Sequence, residues 1–146
     1  MKRKNFHNTA CLILIVGIFL LLLSPVTALA WERLVRIHGD PRPPAEIKMI
    51  FLEPDSVAIE AGTVVIWYNK SAGKEIKLSF ESGKICKDTT ESHFGFNLQE
   101  ATNCFVTDWI PMGATSSLRF MEKGVYEYTV EGPGGIKTKG KIEVKW

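Results

Sequence analysis

Beyond residue 45 the apolar residues fall in short, closely spaced runs, and within several runs they alternate with polar ones. Ile76, Leu78 and Phe80 alternate with Lys77 and Ser79, and Val57 and Ile59 alternate with Ser56, Ala58 and Glu60. Period two puts successive side chains on opposite faces of an extended chain, so each run predicts a half-buried strand. Residues 46–53, ending at Pro54, and the β-branched and aromatic residues 63–69 predict two more. So do residues 116–121, and residues 126–130 and 140–144 predict a closing hairpin around a Gly/Pro loop. Residues 31–39 predict a leading strand with Leu34, Arg36 and His38 on one face and Val35 and Ile37 on the other. The prolines of residues 40–44 then break regular structure. Few segments keep a helical period. The chain is predicted to be an all-β sandwich of about seven or eight strands.

Residues 82–112 form a long excursion between two of these strands, and connections of that length usually carry function or structure of their own. Residues 97–102 (NLQEAT) have the composition for a turn or two of helix. Phe94, Phe96, Phe105 and Trp109 give the excursion material for a small core, and Cys86 and Cys104 bracket its middle. A flap stapled onto the sandwich is the structural expectation; a dedicated binding site is the functional one, because loops carry function disproportionately.

The N-terminus changes the composition that matters. Lys2, Arg3 and Lys4 precede an apolar run over residues 11–23, and Ala28-Leu29-Ala30 follows as a small-residue cleavage pattern. Thirteen apolar residues fall short of the roughly 20 that span a bilayer. Residues 1–30 are therefore predicted to be a secretory signal peptide, with no retained anchor, and residues 31–146 a single exported domain, periplasmic or extracellular. Removing the signal takes three basic residues from the chain's eighteen and leaves its sixteen acidic ones, so the formal charge falls from +2 to −1. No basic footprint for nucleic acid remains. Cys11 leaves too, and the even pair Cys86 and Cys104 in an oxidising compartment predicts a disulfide.

Four pieces of sequence resemble the cupredoxins (plastocyanin, azurin and their relatives) in the same order. They are FLEPDSVAIEAGTVVIWYN, EIKLSF, PMGATSSLRFMEKGVYEYTV and TKGKIEV, and together they span about residues 46–144. The resemblance implies a Greek-key sandwich of two sheets. It also implies where type 1 copper ligands would fall: the two His positions at Ile76 and Pro133, the Cys position at Val130 and the Met position at Thr138. Type 1 copper needs two imidazoles, a thiolate and a weak axial ligand. None of these four residues supplies one, so the expectation is a domain without this metal site and without a cofactor.

Other donors are sparse. His38, His93 and Met112, with Cys86 and Cys104, are the residues an unorthodox copper or electron-transfer site would draw on. Their spacing matches no metal pattern, and a disulfide would consume both sulfurs; the plainer readings are surface histidines and a packing methionine. No nucleophile elbow, H-E-x-x-H or phosphate loop leading into a helix is present, so no enzyme activity is expected. What remains is a binding module for a protein partner or small ligand in the cell envelope, an accessory subunit being one form of it. Phe94 and Trp109 are its natural anchors.

Overall fold

The computed structural model describes residues 32–39, 49–72, 74–83 and 89–146. Eleven strands are formed among them: β1 (Glu32–Gly39), β2 (Ile50–Glu53), β3 (Ser56–Glu60), β4 (Val64–Asn69), β5 (Lys77–Gly83), β6 (Thr90–Phe94), β7 (Phe96–Gln99), β8 (Cys104–Thr107), β9 (Thr115–Phe120), β10 (Gly124–Glu131) and β11 (Lys137–Lys145). The signal sequence, the proline-rich residues 41–44 and Cys86 lie outside the described residues.

Two sheets pack face to face. One runs β2-β1-β4-β9-β6 and the other β3-β11-β10-β5-β8-β7. Most pairings are antiparallel, but β1 lies parallel to β4 and β3 parallel to β11. β2 and β3 are adjacent in sequence yet belong to different sheets. Pro54 lies between them, and it has no amide to continue a ladder. The non-local pairs β5·β10 and β3·β11 close the Greek key. The fold is the all-β, cupredoxin-like sandwich expected from the sequence.

The predicted alternation is met at β1, where Val35 and Ile37 are fully buried and Leu34 and Arg36 face out. The core centres on Trp67 of β4, whose indole packs edge-on against Phe96 and Tyr128 at ring-centroid distances of 5.5 and 5.4 Å. Phe80 and Phe120 complete the cage at 5.9 and 6.4 Å. Rings meeting at an angle set the positive edge of one against the negative face of another, which adds to the burial of their large apolar areas. Tyr126 donates its hydroxyl hydrogen to the Glu122 carbonyl, 2.9 Å away, tying the β9–β10 connection to the core.

Two expectations for the excursion are corrected. Residues 97–102 hold no helix: Phe96–Gln99 is β7, laddered to β8 from Phe96↔Thr107 to Gln99↔Cys104, and a turn follows. Pairing with a neighbouring strand overrides a weak local helix preference. The aromatic residues do not make a separate core either. Phe96 and Phe105 enter the common core, whereas Phe94 and Trp109 are exposed. The strand count exceeds seven or eight because the excursion adds a strand to one sheet and two to the other.

Candidate functional site

The connections β4–β5, β8–β9 and β10–β11 meet at one end of the sandwich, and Asn69 ties the first two together. Its side chain is fully buried. Nδ2 donates to the carbonyls of Lys74 and Ile110, each at 2.8 Å. Oδ1 accepts from the amide and the hydroxyl of Ser71, so both ends of the amide are satisfied. The backbone joins in, with Asn69 N donating to Ala114 O at 3.0 Å and Gly113 N donating to Asn69 O at 2.8 Å. Ile76 and Ile110 exchange two more backbone hydrogen bonds, of 3.1 and 2.7 Å. A buried amide that ties two connections by fully made bonds fixes their relative positions.

This arrangement holds Trp109 outward. Its side chain is 46% exposed although Ile110, next in sequence, is buried. Trp109 and Pro133 line a notch of about 330 Å³ whose other lining residues are Lys74 and Glu75. Pro133 begins a single 3₁₀ turn, Pro133–Gly135, that bridges β10 and β11. The indole thus offers an amphipathic surface with an ammonium and a carboxylate beside it. Sequence reading singled out Trp109 but missed Asn69, Lys74, Glu75 and the role of Pro133 as neighbour. The signal for Asn69 was present: an Asn two residues before a Ser favours a side-chain turn.

The four positions that the cupredoxin resemblance marks lie beneath this end. Ile76 and Val130 are fully buried. Val130 is laddered between Leu78 and Thr138, which is half-buried on β11. The Ile50 side chain fills the space beside Gly132. As a home for type 1 copper these residues do not fit, because Ile76, Val130 and Pro133 carry no side-chain donor atom. The unorthodox donors are not drawn together. His38 on β1 contacts Glu53 at 3.1 Å and stacks on Phe51 with its ring centroid 5.1 Å away. His93, on edge strand β6 three strands further across the sheet, contacts Ser117 Oγ at 3.0 Å. Three strand spacings separate those strands by roughly 14 Å, beyond the reach of one metal ion. Met112 is exposed on the β8–β9 connection. Among the described residues no group of three or more His, Cys, Asp and Glu is placed to hold a metal.

Phe94 does not join the notch; it is 63% exposed on β6, opposite Ser117 of β9. Cys104 is buried at the start of β8, and its expected partner Cys86 lies outside the described residues. The described residues contain no helix long and apolar enough to cross a membrane.

Beneath the site, Tyr128 is 1% exposed. Burial pushes its hydroxyl up to about 12, because the phenolate would lose its hydration; the nearby Trp67 indole opposes this and the Asp55 charge reinforces it. Neither Tyr128 OH nor Trp67 Nε1 completes a hydrogen bond.

Two facing sheets in this strand order define the chain as a cupredoxin-like sandwich. No protein-family profile matches it, and no curated protein is significantly similar. Among solved structures it is similar to amicyanin from Paracoccus versutus (Thiobacillus versutus), at 18% identity over 83% of this chain and 86% of that one, with a TM-score of 0.47. A reduced Cu(I) form of an amicyanin mutant at pH 4 shares 16% identity over 78% and 82%, also at 0.47. A reduced form of a second mutant shares 13% over 75% and 80%, at 0.44. The fold class rests on the strand pairing itself.

Proposed function

We propose that this chain is an exported, metal-free cupredoxin-like module that captures a protein partner or small ligand outside the cytoplasm, in the manner of an accessory subunit of an envelope assembly. The observation that carries this reading is the half-exposed Trp109 beside Pro133, held out by the Asn69 network next to the buried Ile76 and Ile110. A large amphipathic ring on a rigid support loses little conformational entropy on binding, which is why such residues dominate interface energetics. Export is supported by Lys2–Lys4, the apolar run 11–23 and the Ala28-Leu29-Ala30 pattern. A Cys86–Cys104 disulfide belongs to the same reading, since Cys104 is buried and is not without a partner.

The test is site-specific photocrosslinking in the exported protein, with the crosslinker at position 109 and, as control, at Lys139 on the opposite sheet. One discrete adduct from position 109 alone, lost when Pro133 and Lys74 are changed, is the expected result. Equal labelling from both positions, or none from 109, refutes the site. Elemental analysis of the same material is expected to find no stoichiometric copper.

A further inference from the structure

We infer that the outer face of the β2-β1-β4-β9-β6 sheet is the contact surface of a symmetric dimer of this chain. The molecule supplies its own comparison. On the other sheet the outward positions of β11 are charged, with Lys137, Lys139, Lys141 and Lys145 exposed, and on β10 the exposed Glu127 stands beside a single apolar residue, Val125 (49% exposed). On this sheet the outward positions hold Leu34 (43% exposed), Phe51 (48%) and Phe94 (63%), with Ile66 and Tyr68 half-buried between them. A strand alternates faces, so these residues cannot turn inward without carrying Val35, Ile37 and Trp67 out of the core. An apolar stripe on a soluble sandwich marks a surface that is covered when the protein works.

The strand registers show what covers it. They align the side chains in rows across the sheet. The central row is Leu34, Ile66, Ser117 and Phe94. On one side runs Glu53, Arg36, Tyr68 and Thr115, and on the other Glu32, Val64, Arg119 and Glu91. Each flanking row holds one ion pair, Arg36–Glu53 at 3.8 Å and Arg119–Glu91 at 3.7 Å, and the second row adds the charge of Glu32. Turn a second copy over about the central row, and that row meets itself, with Leu34, Ile66 and Phe94 each opposite its own copy and the buried Ser117 between the last two. Arg36 then faces Glu32 of the second copy, and both residues are exposed. An isologous two-fold contact requires such self-complementarity, with no like charges set opposite each other. Five strands about 4.8 Å apart and five or six residues of each give a footprint on the order of 400 Å² in projection. That is about 800 Å² for the two copies together, below the standard size of stable interfaces, and implies a weak, reversible, concentration-dependent dimer.

Sedimentation equilibrium on the exported protein, from micromolar to millimolar, tests this. The expected result is a monomer–dimer equilibrium. Leu34→Glu should weaken it by about 30-fold or more, while Lys139→Glu on the opposite sheet leaves it unchanged. Leu34 is outside the core, and thermal melts of each variant confirm that folding is retained. Arg36→Glu should weaken the dimer, and adding Glu32→Arg should restore it, because the reversed charges again face each other across the two-fold. A protein that stays monomeric throughout, a dimer indifferent to Leu34→Glu, or a charge reversal without rescue each overturns the proposal. The Trp109 notch is on a different surface, so its adduct is unaffected by these variants and the two readings stand or fall separately.

Discussion

Gly140 of β11 lies directly opposite Tyr128 of β10, and the Tyr128 ring occupies the space that a side chain at position 140 would need. Both residues face the core, so a large side chain and an absent one form a matched pair. Gly140→Ala drives a Cβ into the ring and is expected to cost about 2–3 kcal/mol. Urea unfolding measures it. Placing Tyr128→Leu behind it should recover a large part of the loss; strict additivity of the two changes would show that the ring and the glycine are not coupled.

Tyr128 also sets a limit at high pH. Its hydroxyl is held near 12 in the folded protein against about 10 in an unfolded chain. Below pH 10 both states keep the proton and the residue contributes no pH dependence. Between about 10 and 12 the unfolded chain loses the proton first, so stability falls as pH rises through this window. Tyr128→Phe should remove that part of the alkaline decline. It also deletes a buried hydroxyl without a hydrogen bond, so at neutral pH it should be neutral or stabilising by up to about 1 kcal/mol. Melting curves of both proteins from pH 8 to 12 check both signs.

Asn69 holds the loops without touching the notch. Asn69→Ala leaves the buried Ser71 amide without its acceptor and takes one of two donors from each of the Lys74 and Ile110 carbonyls, which keep Ser71 Oγ and Ile76 N, at an expected cost of about 1–3 kcal/mol. Crosslinking through position 109 should fall with it even at temperatures where the protein is folded. Trp109→Ala should do the reverse, abolishing capture while changing stability by less than about 1 kcal/mol, since nearly half of that side chain is in solvent.

Cys86 and Cys104 enclose a loop of moderate length, and their proposed disulfide should stabilise the domain by about 3 kcal/mol in the chain-entropy model. Thiol titration of the unfolded, unreduced exported protein is expected to find no free thiol, and Cys104→Ser should lower the melting temperature by more than a surface Ser substitution does. Two reactive thiols would remove the staple and reopen thiolate chemistry in the excursion.

Much of this was legible in the residues. The alternation of β1 and the apolar Ile76, Leu78 and Phe80 identify strands and their buried faces because period two is a local property of an extended chain. Trp109 was legible as an anchor by type, but its notch was not, since Lys74, Glu75 and Pro133 come from connections far apart in sequence. The pairing of Phe94 with Trp109 in one site was not supported by the structure. Spacing alone puts Phe94 and Phe96 on one face. Gly95, at φ 73° and packed so closely on Ser116 that a Cβ would sit 2.5 Å from its Oγ, turns the chain from one sheet to the other between them. Phe96 then enters the core against Trp67 and Phe94 stays outside.

By itself the sequence determined the all-β class, the core faces of the strands and the absence of His, Cys and Met from the four marked positions, because these depend on residue type and on period within a few neighbours. Only the tertiary structure decided that the excursion adds strands at the edge of each sheet, that Asn69 ties the β4–β5 and β8–β9 connections together, and that Leu34, Ile66 and Phe94 share one row. Each of those depends on pairing between distant segments, where non-local hydrogen bonds and burial outweigh weak local preferences.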